Sequence, residues 1–194
     1  MRDIIERHKV TQVALIRYII QFLLKNSGSL FSINKLANDI KTQGFSGARE
    51  TIYEYVSYVE DAYLAFLVPL YSESLRKINS NPRKIYAIDS GLVNAVTFST
   101  NENFGHLFEN LVFLDLKRKG HKIFYYLTKE RYEVDFLTQD PLGKIKLYQV
   151  VWDDSNIETS TRETRALEAA KIELGFEGEI ITPKNYYEFC MREI

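Results

Sequence analysis

The chain has 194 residues, and its 25 Lys and Arg against 26 Asp and Glu leave a formal net charge of −1. That balance excludes a globally basic nucleic-acid binder, and 45% hydrophobic with 13% aromatic residues excludes a disordered chain. A single cysteine excludes an internal disulfide and a cysteine-based zinc site, and no apolar run approaches the ~20 residues a membrane span needs, so a cytoplasmic protein without a membrane partner is expected.

The charge is unevenly spread. Residues 1–89 carry 12 basic and 9 acidic side chains, and residues 90–194 carry 13 and 17. Val13, Ile16, Ile20 and Leu23 recur at helical spacing between Thr11 and Leu24, and Ser27-Gly28-Ser29 ends that run. Ser32 then reads as the cap of a short helix bearing Leu36, Ala37 and Ile40. Ser46 reads as the cap of a longer one, with Ile52, Tyr55, Val56, Val59 and Ala62 on its core face. Tyr63–Tyr71 and Lys84–Ile88 follow as strands. Three helices closed by a two-stranded wing make a winged helix over residues 1–89, with residues 1–10 as the tail of a linker.

In such a unit the third helix would read DNA, but between Ser46 and Asp61 it offers Arg49 against Glu50, Glu54, Glu60 and Asp61. Phosphate contact supplies most non-specific affinity, so this charge points to a protein-docking helix. The wing carries the basic residues Arg76, Lys77, Arg83 and Lys84, which are the nucleic-acid-binding candidates of this domain.

Residues 90–103 interrupt all periodicity and are expected to be a linker. Beyond it, residues 104–194 read as a helix from Phe104 to Lys119, strands over Ile123–Leu127, Glu130–Thr138 and Lys144–Trp152, a helix over Thr159–Leu174, a strand over Gly178–Thr182 and a closing helix over Asn185–Met191. Glu109 shares a helical face with Val112, Phe113 and Leu116, an expensive place for a carboxylate. Strand alternation puts Glu133, Asp135 and Leu137 on one face, and Leu147, Gln149 and Val151 on one face of the next strand.

This order, α-β-β-β-α-β with an acid on the first helix and another on the second strand, resembles the PD-(D/E)XK nuclease core, a restriction-endonuclease-like fold. The resemblance implies that Glu109, Asp135 and Gln149 converge, with Glu133 at the rim, to hold Mg2+ or Mn2+ that activates water against a phosphodiester. Two departures matter. An acid of the motif has become Gln149, and its lysine has become Val151, so a weak metal site and no cleavage are expected. Arg162 and Arg165, on the following helix, are the candidates to replace the missing lysine.

Nearly the whole chain resembles the C-terminal region of archaeal and bacterial AAA+-type ATPases. The resemblance rests on Ser32-Ile33-Asn34, Asn81-Pro82-Arg83-Lys84-Ile85-Tyr86, Ile88-Asp89-Ser90-Gly91-Leu92, Phe108-Glu109-Asn110-Leu111-Val112, Glu133-Val134-Asp135-Phe136 and Arg162-Glu163. It implies an upstream ATPase domain as the first partner. This sequence contains no G-x-x-x-x-G-K-[ST] phosphate loop, so no ATP site is expected within it. The leading expectation is a non-catalytic module that couples such an ATPase to a protein or nucleic-acid partner. Two others stay open: an active Mg2+-dependent nuclease with a migrated basic residue, and a DNA-binding regulator acting through the wing. His8, His106 and His121 lack ligand spacing and are expected in surface or loop positions; Cys190 is expected to pack.

Overall fold

The computed structural model describes residues 2–97, 104–153, 155 and 157–192. The chain is a mixed α+β protein with one three-stranded and one four-stranded sheet. It divides into two compact units, Met1–Leu67 with Pro82–Ser99, and Val68–Asn81 with Thr100–Ile194.

In the first unit, α1 (Arg2–Arg7) and α2 (Val13–Lys25) precede a short strand β1 (Leu30–Phe31), then α3 (Ile33–Thr42) and α4 (Arg49–Asp61). Strands β2 (Ala65–Val68) and β3 (Arg83–Ala87) complete a sheet of order β1-β3-β2. Leu15, Ile16, Ile19 and Leu23 of α2, Leu36 and Ile40 of α3, and Ile52, Tyr55, Val56 and Val59 of α4 form one core. Val13, expected inside, is 37% exposed, because the buried stripe of α2 is set one residue further round. Ser32 Oγ accepts from the Lys35 N–H and caps α3. Ser46 does not cap α4. Ala48 holds the cap position without a side-chain bond, and the preceding Gly47 lies where a Cβ would meet Leu15 Cδ2 at 3.0 Å.

The expected strand over Tyr63–Tyr71 is shorter. It stops where Pro69, which has no N–H to give a ladder, follows β2. From Val68 onward the chain belongs to the second unit, where Tyr71 N donates to Tyr125 O and Tyr125 N to Pro69 O. The helix α5 (Leu75–Ser80), capped by Ser74, lies in this same segment. The start of the expected linker is also ordered. Asp89 accepts from the Leu92 N–H and caps α6 (Ser90–Val96), which packs on α2 and β3 of the first unit. Residues 98–103 of that linker lie outside the described residues.

The rest of the second unit runs α7 (Phe104–Arg118), β4 (Lys122–Leu127), β5 (Glu133–Gln139), β6 (Ile145–Val150), α8 (Ile157–Leu174), β7 (Glu177–Ile181) and α9 (Tyr186–Met191). The strands lie in the order β4-β5-β6-β7; the first two pairings are antiparallel and β6 with β7 is parallel. Gly120, at φ 79°, makes the left-handed turn that ends α7. Leu147 of β6 packs with Ala166, Leu167 and Ala170 of α8. On the opposite face Phe136 meets Phe113 of α7, and Tyr148 meets Phe189 of α9.

Candidate functional site

The site begins with a break in strand alternation. Phe124 of β4 pairs with Leu137, but Tyr126 pairs with Val134, so two β5 residues, Asp135 and Phe136, span what Tyr125 spans opposite. Val134 and Leu137 therefore both pack into the cluster against α8, while Phe136 turns toward α7. The simple grouping of Glu133, Asp135 and Leu137 on one face is thereby corrected. A bulge shifts the phase at Asp135.

The β5–β6 ladder runs from Gln139↔Ile145 to Phe136↔Tyr148, and beyond it side chains take over. Asp135 N donates to Gln149 Oε1 at 3.2 Å, and Val150 N donates to Asp135 Oδ2 at 2.9 Å. Each residue thus closes a main-chain donor that the parting strands would otherwise leave unbonded. Asp135 is 7% exposed and Gln149 3%. Gln149 spends its carbonyl on Asp135 and donates its amide to Glu163 Oε2 of α8. Both neighbours agree on that orientation, since the peptide N–H only donates and the carboxylate only accepts.

Glu163 Oε1 in turn accepts from Arg162, whose Nε lies 3.0 Å away. The hydrogen bond to Glu163, then the charge of Glu163, raise the Arg162 pKa above its ordinary value against the opposing effect of burial, and Asp135's charge adds to this. Asp135, Gln149, Glu163 and Arg162 thus form one chain of polar contacts, in which Arg162 supplies the positive charge facing two carboxylates. Arg165 is exposed. Among the described residues no three His, Cys, Asp or Glu side chains form a set that could hold a metal ion.

Glu109 is buried on α7, with His106 Nδ1 3.9 Å from its carboxylate. Phe104 stacks on Trp152 at 5.4 Å and Phe108 meets the same ring at 5.7 Å, so this part of α7 is held beside the end of β6. Glu133, half-buried, opens β5 opposite Leu127. Val151, where the lysine would stand, is 4% exposed and donates its N–H to Ile181 O. Glu163 was missed as a site residue. It stands beside Arg162 in the sequence, but a helical carboxylate carries no local sign of the amide it meets.

The four basic candidates divide between the two units. Arg76 and Lys77 are exposed on α5 in the second unit, whereas Arg83 and Lys84 belong to β3 in the first. Lys84 is 2% exposed, because β3 is the central strand of its sheet and both its faces are covered; it cannot reach a phosphate. Arg83 faces the half-buried Glu60 of α4, whose pKa burial raises and Arg83's charge lowers. The exposed part of α4 presents Glu50, Glu54 and Asp61, with Arg49 lying over the Tyr53 ring at 5.8 Å. His8 stacks on Tyr58 at 3.9 Å. His121, expected at the surface or in a loop, is only 8% exposed. Cys190 packs, with Sγ 3.5 Å from Asp115 Oδ2, and burial raises its pKa.

Residues 1–103 match a family described as a domain of unknown function, DUF8612. The chain belongs to that family. Residues 104–187 match a second domain of unknown function, DUF4143, a domain found in AAA-ATPase-associated proteins. An uncharacterized protein of Methanocaldococcus jannaschii is 35% identical over 172 residues, covering 87% of this chain and 37% of its own length. An uncharacterized protein of Haemophilus influenzae is 26% identical over 188 residues, covering 97% of this chain and 45% of its own length. The DUF8612 chain therefore spans less than half the length of these relatives. No solved structure matches it significantly. Among its described residues, no helix is long and apolar enough to cross a membrane.

Proposed function

We propose that this chain is the C-terminal module of an AAA+-type ATPase, joining a winged helix to a nuclease-like core that no longer cuts, and that it serves to engage a protein partner. The observation that carries the non-catalytic reading is the internal commitment of Gln149. Its carbonyl, which stands where the lost acid would be, accepts from Asp135 N, and its amide is tied to Glu163. A divalent cation needs several hard oxygens converging on one point. Here Gln149 Oε1 and Asp135 Oδ2 close main-chain donors, and Glu163 Oε1 accepts from Arg162. Val151 adds nothing that could orient water. The acidic exposed part of α4 and the burial of Lys84 favour a protein partner over a nucleic acid, because phosphate contacts need accessible cations.

The test compares the purified chain with Asp135→Ala on single- and double-stranded DNA and RNA in the presence of Mn2+. Neither protein should cut. Cleavage that depends on Mn2+ and vanishes in Asp135→Ala would overturn the reading and establish an active nuclease, with Arg162 as its replacement base. The double variant Gln149→Glu with Val151→Lys restores the motif, and weak cutting by it alone would mark the natural site as a degenerate one.

A further inference from the structure

A second polar site lies away from the Asp135 chain, toward the β5–β6 turn rather than where those strands part. A cavity of about 400 Å3 opens between the α7–β4 connection and the β5–β6 turn. Lys119, Lys144, Lys146 and Arg192 line it, together with His121 and Thr138, against one carboxylate, Asp140. That carboxylate belongs to the turn: Asp140 Oδ1 accepts from the N–H groups of Leu142 at 2.9 Å and Lys144 at 2.8 Å. Thr138 and Lys146 stand opposite each other across β5 and β6, on the face that carries Phe136 and Tyr148.

Two independent features point to a ligand. Four cations converge on one concavity. In addition, Thr138, one of the lining residues, is 1% exposed, and its buried Oγ1 has no hydrogen-bond partner. Buried hydroxyls are normally bonded, so an unbonded one at the wall of a cationic cavity is a group for which the ligand supplies the acceptor. The surrounding cations are held in place by weak ties. Lys119 Nζ donates to the carbonyls of Phe189 and Cys190 at 3.3 and 2.9 Å, Lys144 lies 3.7 Å from Glu177, and Arg192 bridges Glu179 and Glu188. The ion pairs of Lys144 and Arg192 are largely solvent-exposed and therefore weak.

We propose that this cavity binds a phosphoryl group, with Thr138 Oγ1 donating to one of its oxygens and Lys146, Lys144 and Arg192 neutralising its charge. A multiply charged anion with several acceptor oxygens matches a hydroxyl donor ringed by cations. The volume admits a ligand of nucleotide size as well as phosphate itself. The site stands independently of the nuclease-like reading, since it shares no residue with the Asp135 chain.

The experiment titrates inorganic phosphate, pyrophosphate and ADP, each separately, into the full chain by calorimetry, and follows the melting temperature in parallel. Wild-type protein should bind at least one of the three saturably and melt at a higher temperature with it. Binding of phosphate or pyrophosphate identifies the inorganic anion as sufficient, and binding of ADP alone places the phosphoryl group on a nucleotide. Thr138→Val should weaken that binding about tenfold, the cost of one hydrogen bond to a charged group. Without ligand the variant should melt no lower than wild type, because it loses an unbonded hydroxyl. Lys146→Gln serves as the second variant and should also weaken binding severalfold. Absence of saturable binding by all three, or equal binding by wild type and both variants, would overturn the proposal. So would retention of duplex DNA through Thr138 and Lys146 by a protein that ignores all three small anions.

Discussion

The first unit buries its helices against one another with aliphatic side chains, whereas the second buries polar groups within its sheet. Among the described residues, nine polar or charged side chains are buried; Ser27 and Lys84 belong to the first unit, and the other seven, Asp135, Gln149 and Thr138 among them, to the second. Burying a polar group costs free energy unless it is bonded, so such groups persist where they close a structural gap or meet a ligand. Ser27 shows the modest version of this, accepting the Ala87 N–H at the edge of an otherwise apolar core. The Asp135–Gln149–Glu163–Arg162 chain shows the extended version. The lesson is that the two units should fail in different ways when they are perturbed.

The largest effect is expected in the aliphatic core. Leu23, fully buried on α2, should cost about 2–5 kcal/mol when changed to Ala, the usual penalty for lost apolar contact plus a cavity. Denaturant unfolding measures it. A loss well below that range would mean that the first unit collapses around the gap and is packed more loosely than its core suggests.

A smaller loss is expected in the polar chain. Gln149→Leu keeps the volume but removes both bonds at once, leaving Asp135 N and one oxygen of Glu163 without their partner. A stability loss of about 1–3 kcal/mol should follow, the cost of stranding a buried donor or acceptor. If the variant proves as stable as wild type, Gln149 is not a structural tie and the non-catalytic reading loses its support.

The smallest effect lies in alkaline solution, where the two units should behave alike. Tyr18, through burial and its bond to Asp39, and Tyr126, through burial and its bond to Glu173, have pKa values raised from 10.0 to about 12. A raised value means that the neutral phenol favours the folded chain. This contribution is complete below pH 10 and disappears as pH rises through about 12. Tyr18→Phe and Tyr126→Phe should each flatten the alkaline fall in melting temperature while changing little near pH 7. An unchanged alkaline profile in one of them would show that its carboxylate partner does not hold the phenol in solution.

Much of this molecule was legible in one dimension. Helical spacing located α2, α3 and α4, serine chemistry placed the start of α3, and the order of elements from α7 to α9 was readable from periodicity and turn residues, because all of these depend on neighbours a few positions apart. Asp135 and Gln149 were also visible, as polar residues inside apolar strands. The rest was decided by pairing between distant segments. The bulge at Asp135 exists only because β4 and β5 shift register, and the burial of Lys84 follows from β3 becoming the central strand. Glu163 joined the site only when α8 packed on the sheet, since a helical carboxylate has no local signature of the amide it will meet. Val68–Asn81 left the first unit because Tyr71 and Pro69 found main-chain partners on Tyr125. Local propensity sets which elements form; register and burial are properties of the assembled sheets, and no short stretch of sequence contains them.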